Sequence, residues 1–319
     1  MTRLEWSSLI AVVAALAVTP VAAKVAVRLG VVDRPGELKP QERAVPYLGG
    51  IGVFAGLLCG VAFAKPWLIV PLGLAVGLGT ADDLLDIPPM VRLAGQVVIG
   101  IISGLMVTTR LPTGLTVIGV ALVTVLLMNG VNLIDGLDSL AGGVTAAAAG
   151  GFCLMLHSDG RLIAAALALG AVGFLVYNRP PAKVYLGDGG AYMIGAALAL
   201  LVAYGWGRGG TSEVAISSLV IVAVPAAEVL LAIARRFRSG VGLTAGDRGH
   251  PYDRLVQRGW PRPAAAGIYV AVEIVLAGVA VVVSRTHSDV GPGVSVAVVA
   301  LGALFLAVLS RASAVRHQS

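Results

Sequence analysis

Four polar side chains, spaced three residues apart, interrupt one of the most apolar parts of the chain. They are Asn129, Asn132, Asp135 and Asp138. Apolar residues dominate the segments on either side, 115–128 and 140–156. On a helix this spacing keeps side chains on roughly one face, and carboxylates beside hydrocarbon usually serve a function because they are costly to keep there. The segment 129–143 therefore predicts a site built from carboxylate and amide oxygens, with a polar turn and helix caps as the alternative.

An adjacent pair of carboxylates, Asp82 and Asp83, follows an earlier apolar segment. Two neighbouring carboxylates at a membrane surface cannot both ionise cheaply unless a cation or shared partners offset their repulsion. The pair therefore predicts a proton acceptor or a divalent-metal site in the segment 81–92. The structural alternative is that one of them caps the helix that follows Pro88.

A further acid, Asp188, is flanked by three glycines at the point where another apolar segment begins. A carboxylate on a glycine-rich turn at a helix start is well placed to hold Mg²⁺ against a phosphate. Tyr185 supplies a flat amphipathic ring nearby. The segment 178–190 therefore predicts a metal and phosphate site, and a simple helix cap is the alternative.

Two basic segments accompany these acids. Lys39 and Arg43 precede a helix start, where they would favour an anion. The connection 235–263 contains seven arginines, among them Arg254, together with His250. Arginine forks with a histidine fit the recognition of a phosphorylated polar molecule. Ordinary juxtamembrane positive charge that attracts anionic lipid is the alternative.

The elements that must position these groups are membrane helices. Of 319 residues, 57% are hydrophobic and 13% are charged, and the mean hydropathy is +0.91; a soluble domain carries roughly twice that charged fraction. Long apolar runs with short connections predict an all-α polytopic membrane protein of about 11 transmembrane helices, with no nucleic-acid partner. The runs are 6–27, 47–64, 67–79, 93–107, 115–128, 140–156, 162–177, 191–205, 214–234, 264–283 and 294–309.

The distribution of positive charge predicts the orientation. Of the 23 Lys and Arg residues, 16 fall on one side of the alternating connections and 6 on the other, with Lys24 near the end of the first run. The positive-inside rule places the richer side in the cytoplasm, so the N-terminus is expected outside and the C-terminus inside. Glu228 and Glu273 lie within apolar runs and are expected to pack between helices.

The runs 67–79 and 115–128 are shorter than the ~20 residues that span a bilayer. We therefore expect their helices to continue into the acidic motifs and to carry the acids to the cytoplasmic surface. The expected architecture is a single membrane-embedded domain, 1–319, in which one set of connections forms the site. These cytoplasmic loops are about 28–46, 81–92, 129–143, 178–190 and 235–263.

Five motifs occur together and in a fixed order. They are Pro46-Tyr47-Leu48-Gly49-Gly50, Asp82-Asp83, the segment 129–143, the segment 178–190 and the histidine-containing loop within 235–263. This set resembles the polyprenyl-phosphate N-acetylhexosamine-1-phosphate transferases, which include phospho-N-acetylmuramoyl-pentapeptide transferase and the bacterial UDP-GlcNAc:undecaprenyl-phosphate GlcNAc-1-phosphate transferases. Eleven helices with an internal C-terminus are more similar to the GlcNAc branch than to the ten-helix pentapeptide branch.

The resemblance implies an activity and a place for it. An N-acetylhexosamine-1-phosphate, foremost from UDP-GlcNAc, would pass to undecaprenyl or decaprenyl phosphate with release of UMP, to initiate cell-envelope glycan synthesis. The enzyme would be Mg²⁺-dependent, with Mn²⁺ as a substitute, and would face the cytoplasm from the plasma membrane. Its partners would be the two substrates and the lipid bilayer, and a homodimer is left open.

The resemblance also implies residue roles. Asp82 or Asp83 would deprotonate or orient the lipid phosphate, Asp188 would be the main metal ligand, and Asn132 the second ligand. The implied substrate-binding residues are Asp135, Asp138, Asn129, Asn178, Tyr185, His250, Arg254, Arg92, Arg43 and Lys39. Arg92 would meet the lipid phosphate, and Tyr185 takes the place of a family aromatic that stacks on uracil.

The sequence departs from the family pattern at two positions. The family loop usually carries two or three histidines, whereas Pro251-Tyr252-Asp253 follows His250 here, which leaves the sugar specificity open. Ala191 stands where the glycine-rich metal motif usually has a serine.

Two other functions compete with this one. A membrane prenyltransferase is suggested by Asp82-Asp83-Leu84-Leu85-Asp86, which fits an Asp-Asp-x-x-Asp pattern. That class, however, prefers a spacing of four between its acids and lacks an equivalent of the Asp188 loop. A transporter of an anionic solute is disfavoured because the chain shows no internal repeat and its acids gather at one face. UMP release from a UDP-sugar would separate the transferase from the prenyltransferase.

Overall fold

The computed structural model describes residues 1–34, 44–207, 210–240, 249–286 and 293, and these are almost entirely helical. The helices are α1 (Arg3–Leu29), α2 (Gly50–Ala64), α3 (Ile69–Leu85), α4 (Pro89–Met106), α5 (Thr113–Ile134), α6 (Leu140–Met155), α7 (Ser158–Asn178), α8 (Gly187–Gly205), α9 (Ser212–Val220), α10 (Ala223–Ser239), α11 (Pro251–Gln257) and α12 (Arg262–Val283). A 3₁₀ turn, Pro66–Leu68, precedes α3. Two short strands, β1 (Val32–Asp33) and β2 (Val45–Pro46), pair antiparallel between α1 and α2.

Seven of the described helices are long and apolar enough to cross a membrane: α1, α3 with its 3₁₀ turn, α4, α5, α7, α8 and α12. The helices α9 and α10 pass the same test together, although they meet at a bend of 60°. The sequence predicted one continuous run there, and the break is a difference from that prediction. The helices α2 and α6 are apolar but shorter. The chain is therefore an all-α, multi-pass membrane protein, and the predicted eleventh run, 294–309, lies outside the described residues.

The third and fifth apolar runs continue beyond their apolar parts, as predicted. The first of them ends at Leu85 and the second at Ile134. The expectation that all four spaced polar side chains share a helical face is nevertheless wrong, because α5 carries only the first two. The helix α5 ends where the backbone N–H of Asp135 donates to the carbonyl of Asn132 at 3.2 Å. Gly136, a poor helix former, follows. Asp138 then belongs to the turn before α6.

The helix α8 lies at the centre of the bundle and is buried on nearly every face, as expected for a helix that is apolar all round. It packs against α3 on one side and α5 on another. The approach of α3 requires glycine at position 79, because a Cβ there would overlap the carbonyl group of Asp188. This packing brings the first turn of α8 against the end of α3 that carries Asp82 and Asp83.

Candidate active site

The carboxylate of Asp83 caps the first turn of α8. Its Oδ1 accepts the N–H of Asp188 at 3.1 Å, and its Oδ2 accepts the N–H of Gly189 at 3.3 Å. An acid at this position satisfies two N–H groups that lack helical partners, and the helix dipole favours its charge. Asp83 therefore caps α8 rather than the helix after Pro88, and it fixes Asp188 beside the end of α3.

Its neighbour Asp82 is almost fully buried, with 3% of the side chain exposed, and receives three donors. Oδ2 accepts the guanidinium of Arg92 and the hydroxyl of Tyr192, both at 2.9 Å. Oδ1 accepts the N–H of Ile87 at 3.1 Å. Hydrogen bonds between a guanidinium and a carboxylate are shorter and stronger than neutral ones. The contact with Asp82 holds Arg92, whose side chain is 32% exposed, in a fixed orientation at the start of α4.

Asp188 and Asn132 meet between α8 and α5, where the amide Nδ2 of Asn132 donates to Oδ1 of Asp188 at 2.6 Å. A rotation of this amide by a half-turn would present its oxygen instead. Within the described part of the chain, no three His, Cys, Asp or Glu side chains converge to hold a metal ion. Mg²⁺, however, keeps most of its waters and takes one or two carboxylates beside substrate phosphates. Asp188 with a rotated Asn132 offers that set of donors.

A cavity of about 560 Å³ lies next to this junction, within the size range of small-molecule sites. Its lining includes three carboxylates, two aromatic rings and one guanidinium, which belong to Asp33, Asp135, Asp138, Tyr47, Tyr185 and Arg262. Among the described residues that line it, Arg262 alone carries a positive charge. The cavity can therefore hold a polar molecule with a flat ring.

Asp135 connects the cavity to the carboxylates of α3 and α8. Burial raises the pKa of Asp135 well above its ordinary value, and the negative charges of Asp188, Asp83 and Asp138 raise it further. These acids therefore act on one another across a single region. Such an excess of neighbouring negative charge favours a bound cation or a retained proton.

The two aromatic rings of the cavity are held by backbone pairing between two of the predicted motifs. The N–H of Tyr185 donates to the carbonyl of Pro46 at 2.9 Å, and the N–H of Gly49 donates to the carbonyl of Tyr185 at 2.9 Å. The rings of Tyr47 and Tyr185 lie 6.0 Å apart. Burial, followed by the charge of Asp138, raises the pKa of Tyr185 to about 12, so its hydroxyl stays protonated at neutral pH.

Asn178 clamps the turn after α5 to the loop before α8. Its Oδ1 accepts the N–H of Ser139 at 2.8 Å, and its Nδ2 donates to the carbonyl of Val184 at 2.9 Å. Ser139 has a left-handed backbone with φ of 65°, which costs energy in a residue other than glycine. Nearby, the carboxylate of Asp138 accepts the N–H of Ala182 at 2.9 Å. Both predicted substrate contacts therefore also shape the cavity wall.

Comparison with known proteins places the chain. Residues 66–205 match the model of glycosyl transferase family 4. The chain is 28% identical over 286 residues to the probable undecaprenyl-phosphate N-acetylglucosaminyl 1-phosphate transferase of Bacillus subtilis, covering 81% of this chain and 79% of that protein. It is 28% identical over 331 residues to the decaprenyl-phosphate N-acetylglucosaminephosphotransferase of Mycolicibacterium smegmatis, covering 86% and 82%. A third relative is the undecaprenyl-phosphate alpha-N-acetylglucosaminyl 1-phosphate transferase of Salmonella typhi, 27% identical over 301 residues.

The chain is similar to glycosyl transferase family 4 over residues 66–205, and the relatives named above are transferases. It is therefore a transferase enzyme. The matched segment contains the end of α3, the end of α5 and the first turn of α8. On these elements Asp82, Asp83, Asn132 and Asp188 form what we call the carboxylate junction.

Several of the predicted site residues lie apart from the carboxylate junction and the cavity. The amide of Asn129 donates to Gln96 Oε1 at 2.6 Å and to the Val125 carbonyl at 2.7 Å, so it joins α5 to α4. Asn129 and Arg254 are not among the described residues that line the cavity. The predicted anion contacts Lys39 and Arg43 lie outside the described residues.

His250 begins α11 and is buried, with 5% of its surface exposed. Its Nδ1 lies 3.1 Å from Oε2 of Glu228, an acid of α10. The other oxygen of Glu228 accepts the hydroxyl of Tyr269 on α12. The expectation that Glu228 packs between helices is confirmed by these contacts. A direct contact of His250 with substrate stays a prediction.

Sequence reasoning missed two residues of the site, Tyr192 and Arg262. Tyr192 follows Asp188 by four residues, so both lie on one face of α8, and this spacing could have identified it. Arg262 was one of seven arginines in the segment 235–263, and no pattern distinguished it from the other six. Only the position of α12 reveals that it lines the cavity.

Proposed function

We propose that this enzyme transfers an N-acetylhexosamine-1-phosphate, foremost N-acetylglucosamine-1-phosphate, from a UDP-sugar to polyprenyl phosphate and releases UMP. The names of the relatives specify undecaprenyl or decaprenyl phosphate and the N-acetylglucosamine-phosphate group. One observation of the structure carries the proposal. A cavity large enough for a nucleotide-sugar is lined by Asp135, which interacts electrostatically with the carboxylates of Asp83 and Asp188. The product would initiate cell-envelope glycan synthesis.

The cavity is the proposed donor site. Tyr185 offers its ring to the uracil, as the family resemblance implies, and Arg262 offers a positive charge to the polar part of the donor. Asp135 lines the cavity and interacts electrostatically with Asp188, so we expect the diphosphate to point toward Asp188. The β-phosphorus would then lie between the cavity and the carboxylate junction.

The end of α3 and the start of α4 form the proposed acceptor site. Large apolar side chains are exposed beside Arg92, and they belong to Leu84, Leu85, Met90 and Val91. They would contact the polyprenyl chain within the bilayer while Arg92 meets its phosphate. In the net reaction an oxygen of that phosphate becomes bonded to the β-phosphorus of the UDP-sugar. The bridging oxygen leaves with UMP.

The contacts of Asp82 support an orienting role for this acid. Three donors bind its two oxygens, and one of them is Arg92. Polyprenyl phosphate, like other phosphomonoesters, has a second pKa of about 6 and is already largely dianionic at neutral pH. Such an acceptor needs positioning more than deprotonation, and Asp82 supplies it through Arg92.

Mg²⁺ is the proposed cofactor, with Mn²⁺ as a substitute. Asp188 would hold it and a rotated Asn132 would be the second ligand, in line with the donor set at their junction. When bound, the ion offsets the negative charge of the diphosphate during transfer. Asp83 contributes by fixing the first turn of α8, and with it the backbone of Asp188.

We place the active site on the cytoplasmic face of the plasma membrane, with the N-terminus outside. The support is the excess of Lys and Arg on that side, 16 of 23. Cysteines introduced at Arg179 and Arg238 should resist an impermeant thiol reagent in intact cells, and a cysteine at Lys65 should react. Labelling of the first two with protection of the third would reverse the orientation.

The activity is tested with purified protein, undecaprenyl phosphate, Mg²⁺ and a panel of UDP-N-acetylhexosamines. We expect UMP and a lipid-linked sugar in equal amounts, only with both substrates present, and neither product in EDTA. The panel identifies the sugar. Consumption of an isoprenyl diphosphate without UMP release from any UDP-sugar would instead favour the prenyltransferase alternative.

A further inference from the structure

A chain of buried contacts runs from α10 and α12 through α11 to the end of α5. Glu228, which is fully buried, accepts the Tyr269 hydroxyl through one oxygen and lies 3.1 Å from His250 Nδ1 through the other. The ring of His250 stacks on Tyr252 with centroids 5.2 Å apart and an interplanar angle of 4°. The hydroxyl of Tyr252 donates to the carbonyl of Leu133 at 2.9 Å. We call Glu228, His250, Tyr252 and Tyr269 the brace.

The polar contacts of Glu228 define the orientation of the histidine ring. A buried carboxylate needs partners for both oxygens, and the brace provides one for each. A guanidinium nitrogen of Arg235 also lies 3.5 Å from His250 Nδ1. Because a guanidinium only donates and a carboxylate only accepts, the shorter contact assigns the Nδ1 proton to the bond with Glu228. The ring that stacks on Tyr252 is thus held by the acid.

Tyr252 touches the turn of the donor cavity on both sides of Asp135. Its hydroxyl binds the backbone at Leu133, and its ring lies against Gly136, where an added Cβ would be only 2.8 Å from the ring carbon Cζ. Gly136 and Asp135 both line the cavity.

The brace also fixes the start of α12. The helix α11 packs against α12, and the N–H of Trp260 closes its end on the carbonyl of Leu255 at 3.1 Å. Two residues later, Arg262 lines the donor cavity. Two parts of the cavity wall, the Asp135 turn and the start of α12, are therefore attached to the brace.

We propose that Tyr252 and Glu228 are positioning residues for the UDP-sugar donor. Tyr252 holds the Asp135 turn, and Glu228 holds Tyr252 through the ring of His250. The proposal rests on the proposed function, since it takes the donor as the ligand of the cavity. None of the brace contacts described above involves Asp82 or Arg92. The brace should therefore govern donor binding and leave the acceptor site unchanged.

The first test is Tyr252→Phe, which keeps the ring and removes one hydrogen bond. We expect the KM for the donor to rise by roughly 3- to 10-fold, the effect of one neutral hydrogen bond. The KM for polyprenyl phosphate and kcat at saturating donor should stay within about twofold. A purely structural loss would instead lower the folded fraction, and with it the apparent kcat, without changing either KM.

Tyr177→Phe is the matched control, because the Tyr177 hydroxyl donates to the Leu16 carbonyl at 2.8 Å and joins α7 to α1. It should leave both KM values unchanged. An equal rise of the donor KM in the two variants, or no rise in Tyr252→Phe, would overturn the proposal.

The second test is a double-mutant cycle between Gly136→Ala and Tyr252→Ala. The first substitution forces a methyl group into the tyrosine ring, and the second removes that ring. Each should raise the donor KM, and the double variant should show less than the product of the two effects, because contacting residues are not additive. A full product would show that Tyr252 does not act through this turn.

A third readout does not depend on catalysis. Amide hydrogen exchange in residues 133–138 should be faster in Tyr252→Phe than in the wild type or Tyr177→Phe, because the turn loses its support. Unchanged exchange rates in Tyr252→Phe would overturn the proposal that Tyr252 holds this turn, even if the enzyme is active. Absence of UMP release from wild-type protein would contradict only the proposed function. The exchange measurement would still show whether Tyr252 supports the Asp135 turn.

Discussion

Charged side chains lie near both ends of α3, and their surroundings differ. Near its start Lys65 pairs with Asp159 at 3.4 Å, with 39% and 34% of the two side chains exposed, and the ammonium also lies 5.0 Å from the Trp67 ring centroid. At its end, Asp82 is 3% exposed and pairs with Arg92, while Asp83 binds the backbone of α8.

Near the start of α3, one positive and one negative side chain pair in contact with solvent. Such pairs contribute about 0–1 kcal/mol to the free energy of unfolding. The end brings Asp83, Asp135 and Asp188 close to Asp82, whose buried carboxylate pairs with the partly exposed Arg92. Like charges brought together inside a protein cost stability unless a ligand offsets them. We infer that the partly exposed Lys65–Asp159 pair serves to anchor α3, whereas the group of carboxylates at the other end serves catalysis.

The largest effect is expected from Asp188→Asn at the acidic end. The substitution keeps the size of the side chain and removes its charge, so the fold should persist while affinity for Mg²⁺ drops. Activity should fall by about two orders of magnitude or more, because the metal offsets charge on the diphosphate. The measurement is turnover across a Mg²⁺ titration, with Asp159→Asn as the control at the other end. Normal turnover of Asp188→Asn at low Mg²⁺ would contradict the assignment of Asp188 as a metal ligand.

Asp82→Asn should have a smaller effect at the same end. If Asp82 orients Arg92, kcat/KM for polyprenyl phosphate should fall by about 10- to 100-fold while donor binding is kept, whereas loss of a general base costs about 10²–10⁴-fold. Tyr192→Phe removes one of the three donors to Asp82 and should weaken acceptor use by less than Asp82→Asn does. A loss above about 10³-fold that shrinks as the pH rises would instead indicate general-base catalysis.

Asp135→Asn should stabilise the protein in the absence of metal. Because the pKa of Asp135 is raised, the folded state holds more protons than the unfolded chain at pH values between the two pKa values, and wild-type stability falls as pH rises through that window. The amide side chain of the variant does not ionise, so the variant does not lose stability in this way. Its Tm in EDTA should exceed the wild-type value at about pH 8, and the gap should close toward about pH 4. A lower Tm at every pH would show that the charge is compensated in the native state.

The smallest effects are expected at the start of α3. Asp159→Asn and Lys65→Met should change the free energy of unfolding by less than about 1 kcal/mol, since the pair is exposed and screened by salt. Turnover should stay within about twofold of the wild-type value. A tenfold loss of activity in either variant would show that the two ends are not separate in function.

The helices and the segments that carry the site could be predicted from the sequence, because long apolar runs and glycine-flanked acids are local signals. The sequence did not separate the roles of Asp82 and Asp83. Adjacent residues on a helix point about 100° apart, and the packing of α3 on α8 through Gly79 decides which of them reaches Tyr192 and which caps α8. That packing is a tertiary property and leaves no mark in the local pattern.

The same limit applies to the spaced polar residues. Asn129 and Asn132 share α5, yet one side chain meets Gln96 on α4 and the other meets Asp188 on α8. Three-residue spacing drifts around the helix, so two neighbours can face different partners. Arg262 is a further case, since its place in the cavity depends on where α12 begins rather than on its neighbours in the sequence.

We propose that the enzyme transfers a sugar together with its phosphate at the carboxylate junction. This transfer can be followed with UDP-GlcNAc, or whichever UDP-N-acetylhexosamine the enzyme accepts, labelled with ³²P at the β-phosphate. After incubation with undecaprenyl phosphate and Mg²⁺, the lipid and aqueous phases are separated and counted. We predict that the label moves to the lipid phase while unlabelled UMP accumulates in the water. Transfer of the sugar with the label left behind as UDP would contradict the account.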